Sequence, residues 1–222
     1  MASSIIGGFG ILLWSLAAVG GEQAKPGLWD VERILDGRPT ATIGKAFQEG
    51  GVWISELTYA AEPYEGRPTR VFAYFAHPDP SKGPYPAVLL VHGGGGKAFL
   101  QWARLWADRG YAALAMDLAG VGADGRRLED GGPAQDDATK FRELSPDRLR
   151  DAWTFHAVAA VLHGHAFLAN QTKIVDRDRI AITGISWGGY LTCIVAGIDH
   201  RLKAAVPVYG CGFLGDDSYW QG

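Results

Sequence analysis

Four short runs of almost uninterrupted apolar residues constrain this chain most, because each has the length and composition of a strand buried on both faces of a sheet. They are residues 86–91, 111–116, 179–183 and 204–208. Segments with helical periodicity lie between them, at residues 99–109, 145–167 and 187–198. Strands that alternate with helices indicate a mostly parallel sheet with helices on both faces, which is an α/β fold.

Two further segments add to this pattern. Residues 52–59 and 69–76 are rich in β-forming residues and flank a turn-like stretch at 62–68, so we expect an antiparallel pair. Residues 118–144 are long, polar and glycine-rich, with no clear period. A loop of that length is expected to be a lid or part of a substrate wall, with a solvated insertion as the alternative.

The N-terminus is expected to be a targeting segment. Residues 5–21 carry no charge, and Ala18-Val19-Gly20 resembles a small-residue cleavage site. This pattern is typical of a secretory signal peptide, although no Lys or Arg precedes the apolar run; an apolar helix or a membrane anchor is the alternative. We therefore expect residues 1–24 to be a signal peptide of an exported protein, 25–51 an N-terminal extension, and 52–222 the folded domain.

The composition argues against a nucleic-acid partner and contains an excess of glycine. The net charge of -3 gives no basic field for nucleic acid. The two cysteines, Cys193 and Cys211, are expected to be free thiols, because their expected depths in the fold differ. Glycine is in excess, at 31 of 222 residues. Without a collagen-like period, these glycines predict turns and close backbone approaches.

The strongest chemical signal is a serine between a strand and a helix. Residues 179–183 lead into Gly184-Ile185-Ser186-Trp187-Gly188, which is a G-x-S-x-G motif in the strand–turn–helix context that the motif requires. Ser186 is the predicted nucleophile, and the backbone N–H of Trp187 is a predicted oxyanion donor. Gly184 and Gly188 are predicted to let the strand and the helix approach each other closely.

A second signal is the run His92-Gly93-Gly94-Gly95-Gly96, directly after the apolar run at 86–91. Hydrolases place the other half of the oxyanion hole at this point. Consecutive glycines let backbone N–H groups turn inward, so Gly94 or Gly95 is the second predicted donor. His92 is predicted to be structural.

Three other patterns do not predict a cofactor or a metal. Residues 120–125 read G-x-G-x-x-G, but residues 126–133 cannot open an apolar-faced helix, as a dinucleotide site requires. Residues 93–97 lack the first glycine and the Ser or Thr of a phosphate loop. His156, His163 and His165 are predicted to be surface or capping residues, since no carboxylate pattern accompanies them.

Together these motifs resemble the α/β-hydrolases over residues 52–213. The segment 184–190 resembles the serine turn of prolyl-oligopeptidase-type and acetylxylan-esterase-type members, and residues 117–122 resemble the loop after the fourth strand of such folds. Prolyl-oligopeptidase-type enzymes often use a Tyr hydroxyl in the oxyanion hole, where this chain has a glycine run. The resemblance therefore implies a serine hydrolase of carboxylic esters, including acetyl esters, with a small-molecule or carbohydrate-ester substrate.

The resemblance also implies a catalytic acid and then a His after Ser186 in the chain. Only His200, Asp199, Asp216 and Asp217 follow, and Asp199 and His200 are predicted at the opposite edge of the sheet. We therefore expect the acid, the His and the last strands beyond residue 222, with little activity in this chain alone. An open sheet edge would then favour self-association. The alternatives are a peptidase fragment, a non-catalytic binding module, and a His borrowed from a second chain.

Overall fold

The computed structural model describes residues 27–210 as five helices and one sheet of seven strands. The helices are α1 (Val31–Asp36), α2 (Leu100–Ala107), α3 (Asp137–Lys140), α4 (Trp153–Ala169) and α5 (Trp187–Ile198). The strands are β1 (Ala41–Glu49), β2 (Val52–Tyr64), β3 (Arg67–His77), β4 (Tyr85–Val91), β5 (Ala112–Met116), β6 (Val175–Ile185) and β7 (Ala204–Val208). Two short 3₁₀ turns lie at Pro80–Lys82 and Pro146–Asp151.

The sheet has the order β1-β2-β3-β5-β4-β6-β7. Strands β5, β4, β6 and β7 run parallel to one another, while β1, β2 and β3 are joined by antiparallel pairing and β3 meets β5 antiparallel. The predicted antiparallel pair is confirmed, and its turn is shorter than expected. Only Glu65 and Gly66 separate the strands, and both have positive φ, as a two-residue hairpin turn requires.

The central strands are buried on both faces, as their continuous apolar runs predict. In β4, Leu89 and Val91 belong to the core on the side of α1, α4 and α5, whereas Val88 and Leu90 belong to the core on the side of α2. Helices therefore cover both faces of the sheet, and the predicted α/β fold is confirmed. Because β4 and β6 pair in parallel, their carboxyl ends bring Val91 opposite Gly184 at one edge.

Two local predictions differ from the structure. The predicted helix from Ser145 is interrupted, because Ala152 has an extended backbone with ψ 139°, and α4 begins only at Trp153. The Ser-Pro start signal instead opens the short 3₁₀ turn. Strand β1 and helix α1 were not predicted, although β1 pairs with β2 along most of its length.

The N-terminal prediction and one of the thiols lie outside the described residues. Residues 1–24, Cys211, Asp216 and Asp217 fall there, so the signal peptide and the free thiols stay predictions. Within residues 27–210, no helix combines the length and the apolar content that crossing a membrane would need.

Candidate active site

Ser186 occupies a sharp turn between β6 and α5. Its backbone has φ 58° and ψ -119°, a region that residues with a side chain rarely adopt. Two hydrogen bonds hold this conformation: the Ser186 N–H donates to the Val208 carbonyl at 2.9 Å, and the Tyr190 N–H donates to the Ser186 carbonyl at 3.0 Å. A strained residue that its surroundings fix in this way is typical of functional turns.

Gly184 and Gly188 allow the strand and the helix to approach as closely as the motif predicts. A Cβ at Gly184 would overlap the Gly188 carbonyl and lie 2.8 Å from the Thr192 hydroxyl. A Cβ at Gly188 would overlap the Val91 carbonyl at the end of β4. The start of α5 is therefore pressed against the carboxyl ends of two parallel strands, which fixes the position of Ser186 at the sheet edge.

The glycine run after β4 lies beside this turn. A Cβ at Gly93 would lie 2.9 Å from the Ile185 carbonyl oxygen and 3.3 Å from the Ser186 Cβ. A Cβ at Gly94 would lie 2.8 Å from Cδ1 of the Trp187 ring. Gly95 has φ 66°, and no heavy atom lies within 4 Å of its ideal Cβ position. The structure thus brings Gly93 and Gly94 against the serine turn, whereas Gly95 does not contact it through this position.

Gly93 is the residue that sequence reasoning missed. The motif includes Gly93, but sequence reasoning favours Gly94 or Gly95 as the oxyanion donor, because a run of equivalent glycines does not show which of them lies nearest the serine. Its small size is required by the contact with Ile185 and Ser186, which only the folded chain shows.

His92 supports the glycine loop from behind. Its Nε2 accepts a hydrogen bond from the Leu118 N–H at 2.9 Å, so its proton is on Nδ1, which donates to the Gly93 carbonyl at 2.7 Å. Burial lowers the pKa of His92, which keeps the ring neutral. Gln135 also donates to the Gly93 carbonyl, at 3.4 Å. Both ring nitrogens of His92 are used, in agreement with the predicted structural role.

Part of the long loop packs on the Trp187 side chain. The Phe141 ring centroid is 6.0 Å from that of Trp187, and the Lys140 ammonium lies 5.2 Å from the Trp187 ring centroid. Trp153 and Tyr190 meet the same ring edge to face, at 5.4 and 5.6 Å. The segment around α3 therefore forms a wall beside the serine turn, which favours the wall interpretation of residues 118–144 over a solvated insertion.

No histidine of residues 27–210 hydrogen-bonds to the Ser186 hydroxyl. The His200 side chain is 73% exposed, and its Nδ1 lies 4.0 Å from Oε1 of Glu32. Asp199 is buried and bonds to His165. Asp199 and His200 directly precede the turn into β7, at the amino ends of the parallel strands and therefore at the edge opposite Ser186, as predicted.

The prediction that three helix histidines are surface or capping residues is wrong for two of them, which lie in the interior. His156 and His165 are 7% and 2% exposed, and His163 is part-buried against Glu62 at 3.1 Å. The reason is that α4 packs against β2, the central strands, α1 and α5, so almost its whole surface is covered. Within the described residues, no three side chains of His, Cys, Asp and Glu are gathered as metal ligands would be.

The model of one protein family matches residues 44–217, and its description is acetyl xylan esterase (AXE1). This match covers most of the chain. The chain belongs to the acetyl xylan esterase family. The family assignment agrees with the α/β-hydrolase resemblance that the motifs carry, and it establishes a family of hydrolases.

Individual proteins are also similar to this chain. A Yersinia pestis protein that bears the name carboxymethylenebutenolidase is 29% identical over 167 residues, which are 74% of this chain and 56% of that protein. A solved structure from Bacteroides fragilis described as an acetyl xylan esterase has 19% identity and a TM-score of 0.58, covering 78% of this chain and 49% of its own.

Acetyl xylan esterase 1 from a Thermoanaerobacterium species also matches, with 21% identity and a TM-score of 0.55, covering 78% of this chain and 54% of its own. At these identities the solved structures establish the fold. The chain spans about half the length of the family relatives that it matches.

Proposed function

We propose that Ser186 is the nucleophile of a serine esterase that acts on short-chain, and above all acetyl, esters of a small molecule or a carbohydrate. The observation that carries the proposal is the positive φ of Ser186 in a turn between a central strand and a helix, directly beside a glycine loop. A turn of this kind exposes a serine hydroxyl at the sheet edge and aims the following backbone N–H at the same point.

In the proposed reaction, the Ser186 Oγ attacks the ester carbonyl carbon while a base takes its proton. The carbonyl oxygen becomes an oxyanion, which accepts hydrogen bonds from the N–H of Trp187 and from one N–H of the glycine loop. The contact between Gly94 and the Trp187 ring supports Gly94 over Gly95 as this second donor. Collapse of the intermediate expels the alkoxide, which takes up the proton, and water then hydrolyses the acyl-enzyme.

The base and its orienting acid are proposed to lie outside the described residues. Within residues 27–210 no histidine hydrogen-bonds to the Ser186 hydroxyl, and His92 has both nitrogens in hydrogen bonds. The order nucleophile, acid, histidine that is typical of this fold supports positions after Ser186 for both groups.

The preference for esters over peptides has two supports. The family that matches the chain is described by an ester-cleaving activity. In addition, the oxyanion loop is built from glycines, as in lipases and esterases, where prolyl-oligopeptidase-type enzymes often place a Tyr.

The first experiment labels the nucleophile. The protein is treated with a fluorophosphonate, and the adduct is located by peptide mass mapping in the wild type, in Ser186→Ala, and in Ser145→Ala as a matched variant at an exposed serine. In subtilisin, the oxyanion donors and substrate binding leave a residual rate of ~10³–10⁴ over water when the triad is removed. We expect the adduct at Ser186 in the wild type and in Ser145→Ala. Equal labelling of both serines, or none at Ser186, would contradict the proposal.

The second experiment measures hydrolysis of p-nitrophenyl acetate. A missing base costs a serine hydrolase up to about 10⁶ in kcat, so we expect turnover far below that of ordinary esterases, with little difference between the wild type and Ser186→Ala. Ordinary esterase rates that survive in Ser186→Ala would exclude Ser186 as the nucleophile. Ordinary esterase rates that Ser186→Ala removes would instead show that a base acts from within this chain.

A further inference from the structure

Two buried polar atoms on different elements have no protein hydrogen-bond partner and belong to residues that line the same small cavity. They are Oδ2 of Asp117, directly after β5, and Nε2 of His156, in the first turns of α4. Asp117 is 3% exposed and His156 is 7% exposed. A buried polar atom without a partner has lost the hydrogen bonds that it makes in water, so two of them on residues that line one cavity indicate a ligand that serves both.

The hydrogen bonds around His156 define what this ligand must supply. The Arg150 backbone carbonyl interacts with the His156 ring and raises its pKa, and since Nε2 has no partner, this interaction points to Nδ1 as the protonated nitrogen. Burial lowers the pKa of His156 to about 4, so the ring carries one proton near neutral pH. Nε2 is therefore an acceptor that requires a donor from the cavity.

The hydrogen bonds of Asp117 define the second property that the ligand must have. Its Oδ1 accepts hydrogen bonds from the N–H groups of Ala119 and Val121, at 2.9 and 2.8 Å. Its Oδ2 has no protein partner; it is an acceptor when the group is ionised and a donor when it is protonated, and burial raises the pKa of this carboxyl. The ligand must therefore donate to His156 and be able either to donate to Asp117 or to accept from it.

The cavity restricts the ligand by size. Its volume is about 20 Å³, and it is otherwise lined by Arg70, by small or apolar residues and by the glycines Gly120 and Gly132. One water molecule needs about 10–15 Å³ by the same kind of measure, and two to four polar partners. An organic molecule is too large, and a bare anion cannot donate to Nε2.

We propose that a single internal water molecule binds between Asp117 and His156, donating one hydrogen to Nε2 of His156 and hydrogen-bonding through its other side to Oδ2 of Asp117. This water joins the loop after β5 to α4. The same loop already bonds to His92 through the Leu118 N–H and to Trp153 through the Leu118 carbonyl, at 2.9 and 2.7 Å. The water is thus a third link that positions the loop next to the glycine run.

The first test is a crystal structure of the protein at a resolution that shows ordered solvent. We expect one density peak within about 2.6–3.2 Å of both Oδ2 of Asp117 and Nε2 of His156. A cavity without density, a direct contact between the two side chains, or a peak with the anomalous signal of a metal ion would overturn the proposal.

The second test reads the proton positions in solution by long-range ¹H–¹⁵N correlation of the histidine rings. We expect the Nδ1–H tautomer for His156, with Nε2 shifted upfield as a hydrogen-bond acceptor, and a nuclear Overhauser effect from a long-lived water to the ring. His163 on the same helix is the matched control, because its Nε2 faces Glu62 and must donate. An Nε2–H tautomer of His156, or no water contact, would overturn the proposed arrangement.

Discussion

The buried His156 should make the protein less stable as the pH falls from 7 to 4. Burial lowers its pKa from 6.5 to about 4, and the Arg150 carbonyl only partly offsets this effect. Because the pKa is lower in the folded state, the unfolded chain binds the proton first. The stabilisation is therefore complete above pH 6.5 and is lost progressively toward pH 4. At about 1.4 kcal/mol per pH unit, this window of about 2.5 units is worth about 3 kcal/mol.

The charges that face His156 act in the other direction and do not cancel the effect. Asp151 and Glu62 raise the pKa of the imidazole, but both contribute less than burial does. Asp117 lines the same cavity, and burial raises the pKa of its carboxyl. The balance leaves His156 neutral at physiological pH.

The assay is urea unfolding at pH 7, 5.5 and 4, followed by tryptophan fluorescence, in the wild type and in His156→Gln. The free energy of unfolding of the wild type, relative to that of the variant, should fall by about 3 kcal/mol between pH 7 and 4. His200→Gln, at a side chain that is 73% exposed, is the matched control and should follow the wild type. An identical pH dependence in His156→Gln and the wild type, or a titration of His156 near pH 6.5 by NMR, would refute the reasoning.

Two further perturbations test the packing and the charges around the site. Gly188→Ala should lower the free energy of unfolding in urea by about 1–3 kcal/mol, because its Cβ would overlap the Val91 carbonyl. The Cβ of Gly197→Ala on the same helix meets no atom within 4 Å, so this variant should raise the free energy of unfolding by up to about 1 kcal/mol. Similar effects of the two changes would contradict the close approach at Gly188. The hydrogen bond from His163 lowers the pKa of Glu62 to about 2, so Glu62→Gln should lower the free energy of unfolding above pH 4.5. This gap in free energy between the variant and the wild type should close as the pH falls from 4.5 toward 2. A gap of constant size across that range would show that Glu62 does not stabilise the fold through its charge.

Much of the architecture follows from the sequence because the decisive strands are buried on both faces. The runs at 86–91 and 179–183 contain apolar residues at successive positions, and this pattern has one simple explanation in an α/β fold. Strand β1 gave no such signal. Most of its residues are exposed or half-buried, and it carries Lys45 and Gly44 in the middle, so no period-two alternation marks it.

The buried histidines were missed although a signal was present. Residues 153–169 contain no Asp, Glu, Lys or Arg, and a helix that is apolar all round is expected to be buried all round. That observation would have moved His156 and His165 from the surface to the interior. The Ser145-Pro146 pair misled the assignment of the helix start, because the same signal opens a 3₁₀ turn and sequence alone does not distinguish the two.

Part of the candidate site could be predicted from the sequence and part could not. The turn at Ser186 could be located from sequence, since glycines at fixed spacing between a strand and a helix report local backbone geometry. The register of the glycine loop could not, because the contacts of Gly93 with Ile185 and of Gly94 with Trp187 join segments about ninety residues apart. Long-range contacts of this kind depend on how β4 and β6 pair, which no local pattern records.

The burial of α4 limits which amino-acid substitutions this helix can accept. Only Thr154, His163 and Ala169 along this helix are not fully buried, so it offers no outward stripe on which substitutions could accumulate without cost. In a saturation mutagenesis screen for folded protein, α4 should reject polar substitutions at nearly every position. Helix α2, where Leu105 is 47% exposed, should instead accept them every third or fourth residue. Affinity tags, dyes and crosslinkers are therefore best placed on α2.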